Sequence, residues 1–286
     1  MEHILISGFA DEISPDFDEQ LRVVTSLGME YISLRTADGK GIADYTAEEV
    51  EEKLLPRLRE ANVKVSSLGS PIGKINVDDE EAFEKQLVQM EELCKICKVL
   101  DCKYIRMFSF FIPEGKNADD YKEIVIEKLK KFDAIAAKYS VVMIHENEKD
   151  IYGDIKERCK IILDALGSPH FKSVFDFANF VQCGEDTMEC WELLRDHVAY
   201  IHIKDAVTTD KENVLCGTGE GTIKEEGYQG FLTLEPHLVL FDALQSLETE
   251  NAENIIKENK AKDGAEGYSM QYHALIDILD SIEKSN

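Results

Sequence analysis

The stretch 139–154, YSVVMIHENEKDIYGD, runs from β-branched and apolar residues straight into a cluster of charge. Val141, Val142, Met143 and Ile144 have the composition of a buried strand. His145, Glu146, Asn147 and Glu148 stand where that strand should end, and Asp154 opens an amphipathic run to residue 166. The unit is strand, polar turn, helix. A buried strand that finishes on a carboxylate must supply a partner for it, because an isolated buried charge is costly.

The same unit recurs on both sides. Strands are expected at HILISGF (3–9), YISLR (31–35), VKVSSL (63–68), KYIRMF (103–108), VVMIHE (141–146), KSVFDF (172–177), AYIHIK (199–204) and GFLTLE (230–235). Helices are expected over 15–27, 46–61, 80–100, 118–139, 154–166, 186–195 and 268–283. The first follows a Ser14 N-cap with proline at the first helical position. The second opens on TAEE, a capping-box pattern. Eight near-continuous apolar strands with helices between them predict a parallel sheet covered on both faces. Closed on itself, this is a (β/α)8 TIM barrel; a doubly wound open sheet is the competing architecture. No segment reads as a linker, so residues 1–286 are expected to form one domain. The seventh crossover is the one defect. Only Thr222 to Glu226 could be helical before Gly227, whereas a parallel crossover takes a dozen residues or more. Either that helix is short, or residues are missing from this part of the sequence, and the second is the expectation.

Acidic residues number 57 against 32 basic ones, for a net charge of −25. Such a field opposes binding to nucleic acid or an anionic membrane. The N-terminal apolar stretch is too short for a secretory signal, and no run reaches the ~18 apolar residues of a membrane span. Seven cysteines, an odd number, point to reduced thiols in a cytoplasmic protein. Cys94 and Cys97 form a C-x-x-C, but MEELCKICKVLDC has helical apolar spacing and no second pair follows. A buried helix face is the expectation there.

In α/β barrels the chemistry gathers at the C-terminal ends of the strands. Those ends carry Asp11 and Glu12, Arg35, GSPIGK (69–74), Arg106, His145 and Glu146, Asp176, His202 and Lys204, and Glu235 with His237. Glu146, Asp176, His202 and Glu235 come from strands five to eight. Three carboxylates and an imidazole suit one divalent ion, with Mn²⁺ the first expectation and Mg²⁺, Co²⁺ or Zn²⁺ as alternatives. Singly, each has a structural reading: His202 as a hydrogen-bonded core histidine, Asp176 as a loop cap, Glu235 as an arginine partner. Together, at homologous points, they read as a metal site.

The motifs GFADEISPDFDEQL, SPIGKI, YIRMFSF, HENEKDIYGD, FDFAN, YIHIKD and LEPH, in that order, resemble the xylose-isomerase-like sugar phosphate isomerase/epimerase superfamily of TIM barrels. The resemblance runs from about residue 4 to 245. It implies that Glu146, Asp176, His202 and Glu235 bind one divalent metal, and that Glu146 and Glu235 exchange a proton with the substrate carbon. The implied activity is sugar isomerisation or epimerisation by proton abstraction next to a carbonyl, through an enediolate. The implied assembly is a homo-oligomer. Where epimerases often carry a histidine three residues after the strand-six aspartate, this chain has Asn179.

A branch of the same superfamily, the catalytic subunits of C-glycoside deglycosidases, also resembles this chain. It implies cleavage of the carbon–carbon bond of a 3-oxo-glycoside, a small β-rich partner subunit, and His145 and His237 as acid/base groups. Strand alternation turns His145 away from the lumen if Glu146 points in; a broken pleat would bring it to the metal. Arg35, Lys74, Arg106, Asn179, Lys204 and His237 are the candidates for contact with a small sugar or sugar derivative. Arg35 and Arg106 read equally as ion-pair partners, and Lys74 as a rim lysine, because its loop lacks nucleotide-binding spacing. The many histidines of a three-zinc apurinic endonuclease are absent. A non-catalytic binding or scaffold barrel is the remaining alternative.

Overall fold

The computed structural model describes residues 4–221, 228–240 and 259–285. Eight strands form one parallel sheet: β1 Ile4–Gly8, β2 Tyr31–Leu34, β3 Lys64–Gly69, β4 Tyr104–Met107, β5 Val142–Glu146, β6 Phe171–Asp176, β7 Val198–Ile203 and β8 Gly230–Leu234. Each pairs with its sequence neighbour from β2 to β8, and β8 returns to β1. Between β1 and β2 the closure is a single bridge, Phe9 to Ser33. This is the expected TIM barrel.

Its helices are α1 Phe17–Ser26, α2 Leu55–Glu60, α3 Glu80–Val99, α4 Lys122–Tyr139, α5 Lys156–Leu166, α6 Phe177–Gln182, α7 Thr187–Leu194 and α8 Gly264–Ser285. Three differ from expectation. Asp16, not Ser14, caps α1: its Oδ1 accepts from the Glu19 amide at 2.9 Å, while Ser14 Oγ accepts from Asp16 N. The expected 46–61 helix opens on the Thr46–Glu49 capping box but passes through a π turn, Val50–Leu54, before α2. Pro56, the second residue of α2, has no N–H to donate back into that turn. Helix α6 was not foreseen; its start is capped by Asp176, whose Oδ1 accepts from Asn179 N at 2.8 Å. The expected short helix at 222–226 lies outside the described residues.

The main core lies between sheet and helices, where Cys94 and Cys97 are buried on α3. A smaller cluster, Val142, Ile144, Val174 and Tyr200 with Tyr104 and Phe231, fills the barrel floor. Above it is a layer of hydroxyls. Tyr200 OH meets Ser66 Oγ at 2.7 Å, Ser67 Oγ at 3.0 Å and Thr233 Oγ1 at 2.6 Å. Ser7 and Ser33 bond the two serines in turn. A register shift between β2 and β3 leaves Ser66 unmatched, which lets consecutive serines face one tyrosine. Among the described residues no helix is long and apolar enough to cross a membrane.

Candidate metal centre

The top layer of the barrel is ionic. Alternation along β5 to β8 turns Glu146, Asp176, His202 and Glu235 inward, and parallel register sets Asp176 beside His202. One donor atom from each of the four lies within 4.8 Å of the others, and all four residues are buried. His202 Nδ1 stands 3.0 Å from Glu146 Oε1, 3.4 Å from Glu235 Oε2 and 3.9 Å from Asp176 Oδ2. Glu146 Oε2 and Asp176 Oδ2 are buried and accept no hydrogen bond. Arg106 and Lys204 stand at ion-pair distance from these two oxygens but donate no hydrogen bond to them, which leaves their lone pairs open to a further cation. The donor set and its unsatisfied oxygens therefore fit a divalent ion held by these four side chains.

Positive side chains ring the cluster. Lys204 Nζ lies 3.2 Å from Asp176 Oδ2 and 3.3 Å from Glu235 Oε2. Arg35 is shared among Asp11 at 2.8 Å, Glu235 at 3.1 Å and Glu12 at 3.4 Å. Arg106 Nη1 approaches Glu146 at 3.3 Å and Glu235 at 3.7 Å, while its Nε and Nη2 are buried without a hydrogen bond. Its guanidinium sits 5.0 Å from the centroids of both Phe9 and Phe108.

Burial and these charges pull the titrations apart. Burial raises Asp176 to about 7, with Lys204 pulling the other way. Burial would also raise Glu146, but His202 and Arg106 hold it down at about 2. Burial disfavours a charged His202, yet Glu146 and Glu235 outweigh it and lift the ring to about 9. Burial pushes Glu12 up to about 8 against the pull of Arg35, so Glu12 keeps its proton at neutral pH.

The remaining candidates divide. His237, at a left-handed φ of 45°, places Nε2 3.4 Å from Glu12 and 3.7 Å from Glu235, and burial keeps it neutral. Lys74 reaches the rim over the Phe108 ring and pairs with Glu148 at 2.9 Å. Asn179 is not aimed at the four donors: its Nδ2 donates to Asn147 O, and Asn147 in turn clasps the Asp176 backbone through both amide atoms. His145 is not brought there either. The pleat holds to the last residue of β5, so the ring points outward, with Nε2 2.9 Å from Ser109 Oγ and Gly153 packed against it. Burial lowers its pKa to about 3, so it stays neutral. The ring expected as an acid/base group thus lies apart from the four donors, against Ser109 and Gly153.

Glu12 was legible in the sequence only as a charge at a strand end, and the role of Asp205 was not read there. Glu12 joins the centre through a 3-10 turn, Ala10–Glu12, that carries it over the end of β1. Asp205 accepts backbone N–H groups from Ala206, Gly217, Gly219 and Gly221, binding the glycine-rich 217–221 loop to the end of β7. An aspartate three residues beyond the site histidine, followed by alternate glycines, was the available signal.

No curated protein matches the chain. Several solved structures share its fold at low identity. An IolI protein with a bound zinc atom superposes with a TM-score of 0.72 at 17% identity, covering 98% of both chains. A D-allulose 3-epimerase from Methylomonas sp. gives 0.69 at 13% identity, covering 96% of this chain and 98% of its own. A 3-keto-D-glucoside 4-epimerase from E. coli gives 0.65 at 16%, covering 96% and 97%. A family model described as a xylose isomerase-like TIM barrel matches residues 21–266, most of the sequence. On that match the chain belongs to the xylose isomerase-like TIM barrel family.

Proposed function

We propose that this protein is a divalent-metal-dependent isomerase or epimerase that abstracts a proton next to the carbonyl of a sugar or sugar derivative. The observation that carries the reading is the buried set Glu146, Asp176, His202 and Glu235, with two glutamates flanking one imidazole. Mn²⁺ is the proposed ion. When bound, such an ion polarises the substrate carbonyl and stabilises the enediolate left by loss of the neighbouring proton.

The chain's own residues do the rest. One of Glu146 and Glu235 takes the proton from the carbon, and that C–H electron pair becomes the enediolate double bond. Return of a proton to the opposite face by the other glutamate inverts the centre; return to the adjacent carbon isomerises it. Each such transfer is worth roughly 10²–10⁴-fold. Arg106 offers Nε and Nη2, both buried and unsatisfied, to a substrate oxygen that gains negative charge. Lys204 balances Asp176 and Glu235.

A second reading, expulsion of an aglycone from a 3-oxo-glycoside, shares the proton abstraction and needs an acid for the leaving group. Protonated Glu12 beside His237 favours it. Both readings are tested by metal content and by Glu146→Gln and Glu235→Gln. Each variant should fold and lose turnover, with metal content reduced. Full activity in either variant overturns the proton-transfer assignment. A wild-type protein that takes up no divalent ion overturns the metal-dependent reading.

A further inference from the structure

Beside the four donors lies a pocket of about 680 Å³ that the chemistry of proton abstraction does not use. Its floor is Asp11, Glu12 and Arg35. Arg35 also pairs with Glu235, and Glu12 offers an oxygen within 4.8 Å of one of Glu235's, so the pocket begins where the metal centre ends. Its walls are loops after β1, β2, β3 and β8 of mixed character: Ile13, Ile42, Ala43, Pro71 and Val239 give an apolar stretch beside Ser14, Thr36 and Asp44.

Size and charge together select an occupant. A hexose has a dozen carbon and oxygen atoms. Even if each took the ~30 Å³ share of a liquid water, the ring would fill only about half of this space. The reacting carbons must also lie at the four donors, outside the pocket, so a bare monosaccharide leaves it mostly empty. The volume instead matches sites that enclose drug-sized ligands. Among the described residues that line it, Arg35 is the only cation, and Asp11, Glu12 and Glu235 already share it. Asp44 adds a further acid at the rim. A phosphate placed here would meet carboxylates and no cation of its own, whereas phosphate sites supply arginine or backbone N–H forks. Lys74, the other cation near the mouth, pairs with Glu148.

We infer that the substrate is a sugar carrying an uncharged, partly apolar substituent, such as an aryl glycoside, with the sugar at the metal centre and the substituent in this pocket. The inference rests on the metal-centre reading above and narrows its substrate class.

The test uses the full chain loaded with Mn²⁺, with metal content measured on the same sample. Binding is followed by calorimetry for glucose and galactose, their 4-nitrophenyl glycosides and their 6-phosphates. The aryl glycoside of at least one sugar is expected to bind about tenfold or more above the free sugar, and the phosphate no better than the free sugar. Ala43→Trp, which fills the pocket from one wall, is expected to bring the aryl glycoside down to the level of the free sugar. A 6-phosphate that binds tightest overturns the inference, as does aryl affinity equal to that of the free sugar, or an aryl advantage that survives Ala43→Trp. A chain that takes up no Mn²⁺ overturns the metal-centre reading itself, and the two failures are distinguishable by the metal assay.

Discussion

Metal affinity should rise steeply with pH, because the imidazole at the centre must lose a proton before it can act as a ligand. In the metal-free chain His202 is held protonated to about 9 by Glu146 and Glu235. At pH 7 only about one ring in a hundred is neutral, so apparent affinity there lies about 100-fold below its limit. At pH 8 the deficit is about tenfold. Below about pH 7 Asp176 also holds a proton, and the slope should steepen toward two protons per ion. The assay is Mn²⁺ titration calorimetry between pH 6 and 8.5, repeated in buffers of different ionisation enthalpy to count protons released. One proton per ion near pH 8, and more below 7, is expected. His202→Gln should remove the dependence above pH 7. Affinity that is flat from pH 7 to 8.5, with no proton released, would refute the assignment of His202 as a ligand that is protonated in the metal-free chain. Stability of the metal-free chain runs the opposite way. A pKa raised from 6.5 to about 9 contributes stability that is complete below 6.5 and is lost as pH rises through 9. The gain in melting temperature on adding Mn²⁺ should therefore widen with pH.

Arg106→Met should lower kcat by about 10²-fold while one ion per chain is retained, read by steady-state kinetics beside metal analysis. Tyr200→Phe removes the hydroxyl that Ser66, Ser67 and Thr233 share, and should cost about 1–3 kcal/mol in urea unfolding without changing metal content. Asp205→Ala strands four backbone N–H groups and should release the 217–221 amides to fast hydrogen exchange, leaving strand amides protected. Gly153→Ala would put a methyl 2.5 Å from His145 Cε1 and 2.9 Å from Ser109 Oγ, and should cost about 1–3 kcal/mol by thermal or chemical denaturation.

The barrel was legible because each strand reads as a short apolar run and ends in charge; the period-2 pleat then assigns Glu146 inward and His145 outward. Four donors on successive strands follow from the same rule. What was hidden depends on contacts distant in sequence. Glu12 and His237 stand 225 residues apart yet bond, Glu12 Oε2 accepting from the His237 amide at 2.7 Å. Asn179 looked like a replaced substrate residue, whereas its amide belongs to the clasp that joins the ends of β5 and β6. The hydroxyl layer escaped notice because Ser66 and Ser67, adjacent in sequence, should face opposite sides of a regular strand, and only the register shift brings both inward.

The seam between β1 and β2 gives the ionic layer a second office. Those strands meet through one bridge, yet Arg35, just beyond β2, grips Asp11 and Glu12, just beyond β1, and reaches Glu235 after β8. The guanidinium acts as a rivet at the one place where backbone pairing nearly fails. Diversification of the rim should thus be uneven: the loops over the pocket can drift toward new substituents, while Arg35 is held by architecture as well as by chemistry. A laboratory search for altered substrate range would do best to randomise Ala43 and its neighbours and to leave the rivet in place.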